Sequence, residues 1–312
     1  MRQISTTVEN GILMQGFLED CKLRGLSSTT IENYVSILKV FNSFFNRKAF
    51  HDIGKEDIQY FIRYLKEKRR VSHKRVANYL YAISSFYDYL LFKDVVTINP
   101  VDVMKKRYLR GYKRRDPPHI RKLISVEEMS TLVNSTLDLR AKAIITLLAK
   151  TGIRRGELIS IDIDDIDWEN QMIILKRKAK RSNRIVFFDN ECAIVLKRWL
   201  TLREKLKPKT RALFVSRYGK RIDKNVVYNA VTKNAEKTGL HNPKSQKIED
   251  HFSPHCCRHW FTTMLLRNGM PREYVKELRG DARNDVIDIY HHIDIEDLKK
   301  SYLACIPVLG IE

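Results

Sequence analysis

The chain has 312 residues, 43% hydrophobic and 30% charged. That is material for about two domains, and it excludes a collagenous or low-complexity protein. Lys and Arg number 58 against 37 Asp and Glu, a net charge of +21, which points to a polyanionic partner. Nucleic acid is favoured over a membrane, because no basic amphipathic anchor or lipidation motif is visible. The longest apolar run, residues 143–149, is far short of the ~20 residues that span a bilayer. The first residues have no apolar stretch behind a basic head, so no secretory signal is expected.

The elements up to residue 98 read as helices. Residues 12–23 form the first. From Thr30, the spacing of Ile31, Tyr34, Leu38, Phe41 and Phe45 predicts a second. Lys55–Lys68 carries Ile58, Phe61, Ile62 and Leu65. Ser72–Phe92 puts Val76, Leu80, Ile83, Phe86, Tyr87 and Leu90 on one stripe. The aromatics sit at helical spacing and are expected in the core of a bundle rather than stacked on bases. Lys66, Lys68, Arg69, Arg70, Lys74 and Arg75 cluster at a helix junction, a candidate phosphate-contacting edge. Asn99-Pro100 is expected to end the bundle, since residues before proline avoid helix.

Residues 105–122 carry nine Lys or Arg, a single acid and Pro117-Pro118, the composition of a basic linker. The expected organisation is therefore a helical domain over 1–104, a linker over 105–122 and a second domain over 123–312. Ser125-Val-Glu-Glu128 opens the second domain with a capping box. Leu139–Lys150 reads as a buried helix. Met172–Leu175 and Arg184–Phe188 read as strands joined by a polar turn, and Leu213–Val215 as a short strand. Cys192–Leu206, Asn225–Thr238 and the stretch from Ser253 to near Leu303 read as helical. The fold class is mainly α with a small β-sheet.

Five cysteines without a C-x-x-C pair suggest a reducing compartment and no disulfide framework. His255-Cys256-Cys257-Arg258-His259 invites a metal reading, but adjacent helical residues diverge and no metal is expected. His259 is expected to pack.

Three segments could carry chemistry. In Thr151-Gly-Ile-Arg154-Arg-Gly-Glu157-Leu, a glycine breaks a helix and Arg154 opens the next, where a guanidinium can hold an anion. Glu157 is three residues on and could orient it. In Ser253-Pro-His255-Cys-Cys-Arg258-His259, His255 and Arg258 share a helix face and pair an anion clamp with a proton-handling group. In the third, Gly280-Asp281 precedes Tyr290.

Together these segments resemble the tyrosine recombinase (phage integrase) family, close to its Xer-like branch. The resemblance spans nearly the whole chain. It implies an N-terminal SAM-like core-binding domain that clamps DNA, and an α+β catalytic domain. It places the two family arginines at Arg154 and Arg258, the histidine at His255 and the nucleophile at Tyr290, nine residues after Asp281. A hairpin lysine is implied among Lys176, Lys178 and Lys180, with Lys178 preferred for its distance from Arg184. Asp281 stands where the family usually has His or Trp, as in archaeal-looking members. An ionised carboxylate cannot donate to a phosphate, so Asp281 is expected to pair with Arg258, Arg279, Arg283 or a helix start and to act by positioning.

The implied activity is site-specific recombination of double-stranded DNA through a 3′-phosphotyrosine. It would use no metal, cofactor or ATP. A homotetramer on two duplexes is implied, with possible directionality proteins, in a cytoplasmic, nucleoid-associated setting. A type IB topoisomerase-like enzyme and a catalytically dead DNA-binding regulator are the alternatives. The apolar tail 303–312 is expected to dock on a neighbouring subunit in preference to its own.

Overall fold

The computed structural model describes residues 6–46, 48–109, 123–176, 184–281 and 293–311. The chain divides into two compact units, residues 1–118 and 119–312.

The N-terminal unit is helical: α1 (Thr6–Leu23), α2 (Ser28–Phe44), α3 (Lys55–Glu67), α4 (His73–Phe92) and α5 (Pro100–Tyr108). Ser27 and Ser72 cap α2 and α4 by accepting from the backbone N–H of Thr30 and Arg75, which satisfies donors that a helix start otherwise leaves open. Phe17, Phe41, Phe50, Phe61, Phe86 and Tyr87 are fully buried. Phe41 meets Phe61 and Phe45 edge-on at 5.2 and 5.1 Å, the geometry that ring quadrupoles favour. The aromatics are core, as the spacing indicates.

Asn99-Pro100 starts a helix instead of ending the bundle. Pro100 occupies the first turn of α5, where its missing N–H costs nothing. The Asn99 side chain accepts from the Val101 N–H and donates to Ser84 and Asp88 on α4. Residues 105–108, assigned to the linker from sequence, are thus the last turn of α5, which packs on α3 and α4. Lys66, Lys68, Arg69, Arg70 and Lys74 are exposed at the α3–α4 junction, with Arg75 over the Tyr79 ring.

The C-terminal unit is built around α7 (Leu139–Thr151), which follows α6 (Val126–Asn134). Residues 143–151 of α7 are buried on every face, the mark of a central helix. Around it lie α8 (Arg155–Ser160), α9 (Asn190–Lys205), α10 (Lys224–Lys237) and α11 (Pro254–Arg267). Then come α12 (Arg272–Arg279) and α13 (Ile295–Cys305). An antiparallel sheet has the order β1 (Ile166–Asp167), β2 (Met172–Leu175), β3 (Arg184–Phe187), with Ile173 opposite Val186 and Leu175 opposite Arg184.

One strand expectation changes. Residues 213–215 are buried but make only bridges, Asp162–Ala212 and Val215–Arg221, flanking them; the third strand is β1. The described residues from Ser253 to near Leu303 are mainly helical, as read from the sequence, with Gly269 and Pro271 separating α11 from α12.

The C-terminal tail docks on its own unit, contrary to the expected trans contact. Leu309 and Ile311 join the core. Their backbone N–H groups both donate to Glu191, at 2.9 Å each. Ser130 donates to the Leu309 carbonyl at 2.6 Å, and Lys150 to that of Pro307 at 2.7 Å. A tail whose Leu309 and Ile311 N–H groups meet one carboxylate while their side chains enter the core is satisfied in cis, so its apolar character is explained by its own domain.

Candidate active site

Gly152 ends α7 in the left-handed conformation, φ +59°. A Cβ there would lie 2.3 Å from the Phe261 ring of α11. Glycine is therefore required both for the turn and for close approach of α7 to α11. The chain then reverses into α8, and Arg154 is the N-cap residue. Glu157 holds it from two directions. One carboxylate oxygen accepts from the Arg154 backbone N–H at 2.6 Å and the other from its Nη1 at 3.3 Å.

Arg258 comes from the second turn of α11 and is only 5% exposed. Its Nη1 donates to the Gly152 carbonyl at 2.6 Å. Its Nη2 donates at 2.8 Å to the carbonyl of Arg279, at the end of α12, which also accepts from Arg154 Nη1 at 3.0 Å. One carbonyl thus brackets both guanidinium groups. Asp281 Oδ1 lies 3.4 Å from Nη2 of each, and its other oxygen 3.1 Å from Arg279 Nε. Asp281 therefore pairs with Arg258 and Arg279, and also with Arg154.

The electrostatics are lopsided. Burial, then the nearby Arg154, Arg184 and Arg279, push the Arg258 guanidinium down to about 9. Burial also works to raise the Glu157 carboxyl, but Arg184 and Arg154 outweigh it and hold Glu157 below the usual carboxylate range. The cluster is cationic in excess of its two carboxylates, as expected of a place for an anion.

His255 is exposed on the first turn of α11, one turn before the buried Arg258. His259 is exposed too, with Nδ1 3.5 Å from the Thr263 hydroxyl; the expectation that it packs is wrong, because the core face of α11 is taken by Cys256, Cys257, Trp260 and Phe261. Of the hairpin lysines, Lys176 lies among the described residues. It pairs with Asp162, and with Asp165 at 3.5 Å. The hydrogen bond to Asp162 is the main cause that raises its pKa, the wrong direction for a proton donor poised near neutral pH. Arg221 pairs with the same Asp162. Lys178, Lys180 and Tyr290 lie outside the described residues, as does Arg283.

Sequence reasoning used Arg184 only as a marker of distance. Arg184, the first residue of β3, is 4% exposed. Its Nη2 donates to Glu157 Oε2 at 2.5 Å, and its Nη1 to the Leu278 carbonyl. An arginine at the start of an otherwise apolar strand was the available signal.

Two guanidinium groups gathered from separate helices, with a cationic surplus around them, have the chemistry that suits an oxyanion. The chain belongs to the phage integrase family, whose model matches residues 120–296, while that of the phage integrase N-terminal SAM-like domain matches residues 13–96. It is 28% identical over 290 residues to the tyrosine recombinase XerC of Escherichia coli (strain K12 / DH10B), covering 91% of this chain and 92% of the relative. Among solved structures it is similar to the Tn1549 transposon integrase in complex with circular intermediate DNA. That likeness has a TM-score of 0.67 at 20% identity, covering 93% of this chain and 98% of the other. It is also similar to the XerH site-specific recombinase bound to difH substrate. There the TM-score is 0.62 at 22% identity, covering 92% and 83%. The fold is that of these enzymes.

Proposed function

We propose that the protein is an Xer-like site-specific DNA recombinase that breaks and rejoins double-stranded DNA through a 3′-phosphotyrosine. The observation that carries this reading is the shared Arg279 carbonyl, which sets Arg154 and Arg258 side by side. Two adjacent guanidiniums fit the non-bridging oxygens of one phosphodiester and stabilise the charge of a pentavalent transition state. Tyr290 is the nucleophile: its phenolic oxygen bonds to phosphorus as the bond from phosphorus to the 5′ oxygen breaks. Lys178 gives a proton to the departing 5′ oxygen, and His255 takes or relays the phenolic proton. A 5′-hydroxyl from another strand then attacks the phosphotyrosine and restores Tyr290, so the bond energy is conserved without ATP. Asp281 is the counter-ion that holds the arginines in place until the phosphate arrives.

The basic junction of the N-terminal unit supplies phosphate contacts, so binding weakens steeply with salt. Two duplexes require four cleavages, hence a homotetramer on DNA, with directionality proteins where the reaction needs a sense. Such an enzyme works in the cytoplasm on the nucleoid. No helix among the described residues is long and apolar enough to cross a membrane.

The test is a pool of nicked duplexes of random sequence incubated with the protein in EDTA. A covalent protein–DNA adduct on a denaturing gel is expected. No adduct with any duplex contradicts the proposal, and relaxation of a supercoiled plasmid carrying the selected site, without exchange between two copies, selects the topoisomerase reading.

A further inference from the structure

We infer that Arg184 is a positioning residue for the proposed cleavage: it locks both brackets that align Arg154 and Arg258. The inference rests on the recombinase reading above.

Arg184 is nearly inaccessible, so it is not a surface contact for DNA. It does not act as a general stabilising charge either, because its two donors go to two specific acceptors. One is Glu157 Oε2, the oxygen that also accepts from the Arg154 backbone. The other is the Leu278 carbonyl, one residue before the Arg279 carbonyl that receives both arginines. The planar fork of a guanidinium reaches two acceptors at a fixed separation, which an ammonium reproduces poorly. Arg184 thereby ties the start of α8 to the end of α12.

Gly280 shows how closely this tie is built. It sits at φ +56°, directly after α12, and a Cβ there would lie 2.2 Å from Arg184 Nε and 2.3 Å from its Cδ. The turn that presents Asp281 is shaped around the Arg184 side chain. Arg184 also begins β3, so that strand is anchored to Glu157 and the Leu278 carbonyl at its first residue.

The experiment uses the full-length protein and the nicked duplex selected with the parent. Arg184→Met is expected to slow adduct formation about 100-fold, the scale of a small misplacement of reacting groups, with affinity for the duplex within about threefold. Arg184→Lys is expected to recover about tenfold of that loss, and it serves as the primary variant if Arg184→Met does not fold. A pH profile separates positioning from mere packing. Glu157 faces Arg154 from its own turn, Arg184 from β3 and, farther off, Arg258 from α11. Without Arg184, burial is less well opposed, and Glu157 takes up a proton at higher pH. The adduct rate of Arg184→Met is then expected to fall more steeply than the parent rate as the pH is lowered, and Glu157→Gln added to that variant should flatten the difference.

Equal losses of duplex affinity and cleavage rate, a profile parallel to the parent, or no gain from lysine would overturn the assignment. If the parent itself forms no adduct, the recombinase reading fails first and this one with it.

Discussion

Two buried cations show opposite electrostatic designs, and Lys150 stands only two residues before Gly152, whose carbonyl accepts from Arg258. Lys150, fully buried at the end of α7, has a closed set of partners: Asp189 and Glu191 at 2.5 Å each, and the Pro307 carbonyl. Arg258, whose donor reaches the Gly152 carbonyl, is bound mainly by carbonyl oxygens and has only a shared, longer contact to Asp281. Other guanidiniums crowd it. The first site is neutralised by its own chain and latches the tail. The second is left short of negative charge, which is what a phosphate would provide. Carboxylates complete the buried Lys150, whereas Arg258 is held by carbonyls and a carboxylate it shares with Arg154 and Arg279, the arrangement that fits the proposed phosphate site.

That contrast is open to attack by mutation. The largest effect expected is on cleavage: Arg258→Met should slow adduct formation by about 1000-fold, as loss of one transition-state donor does, measured by single-turnover gels. Arg258→Lys should recover little, because an ammonium cannot span the same acceptors. Next, Lys150→Met should destabilise the C-terminal unit by about 3–5 kcal/mol, since it strands two carboxylates. Denaturant unfolding of the full chain, followed at Trp199 and Trp260, both buried in that unit, measures it. Arg258→Met should cost less than half of that, because relief from neighbouring guanidiniums offsets the lost hydrogen bonds. Equal costs would erase the distinction between the two sites.

A smaller effect separates them by anion binding. The folded state holds the Arg258 proton less tightly than the unfolded chain, so below about pH 9 the cation is a standing penalty. Sulfate or phosphate should therefore raise the melting temperature of the parent at pH 7 and raise that of Arg258→Met less. Smallest is the acid response of the tail. Burial works against the Glu191 carboxylate, but Lys150 and the Ile311 and Leu309 N–H groups hold its pKa below the ordinary 4.5. Its stabilisation is thus complete above about pH 4.5 and lost as pH falls through the lower folded value. The protection of the Leu309 and Ile311 amides, taken relative to the intrinsic exchange rate at each pH, should drop in that acid window and hold above it.

Much of this was legible in the sequence, for physical reasons. Helices such as α3 and α4 advertise themselves because one face repeats every 3.6 residues. Arg154 and Arg258 could be picked out because a glycine break and an i, i+3 pairing leave local marks. What the sequence hid is what depends on partners distant along the chain. Pro100 reads as a stop until Asn99 is seen tied to α4. The tail reads as sticky until Glu191 and Lys150 are seen to receive it. Arg184 was overlooked because neither Glu157 nor the Leu278 carbonyl is near it in sequence, and the Arg279 carbonyl that joins the two arginines is a backbone atom, which no residue code displays.

The central claim is that the arginine pair serves a tyrosine nucleophile at position 290. Peptide mapping by mass spectrometry of the adduct trapped on a nicked duplex tests it most directly. The expected result is a nucleotide remnant on Tyr290 of the parent and no adduct at all from Tyr290→Phe. A remnant on any other residue, or undiminished cleavage by Tyr290→Phe, would contradict it.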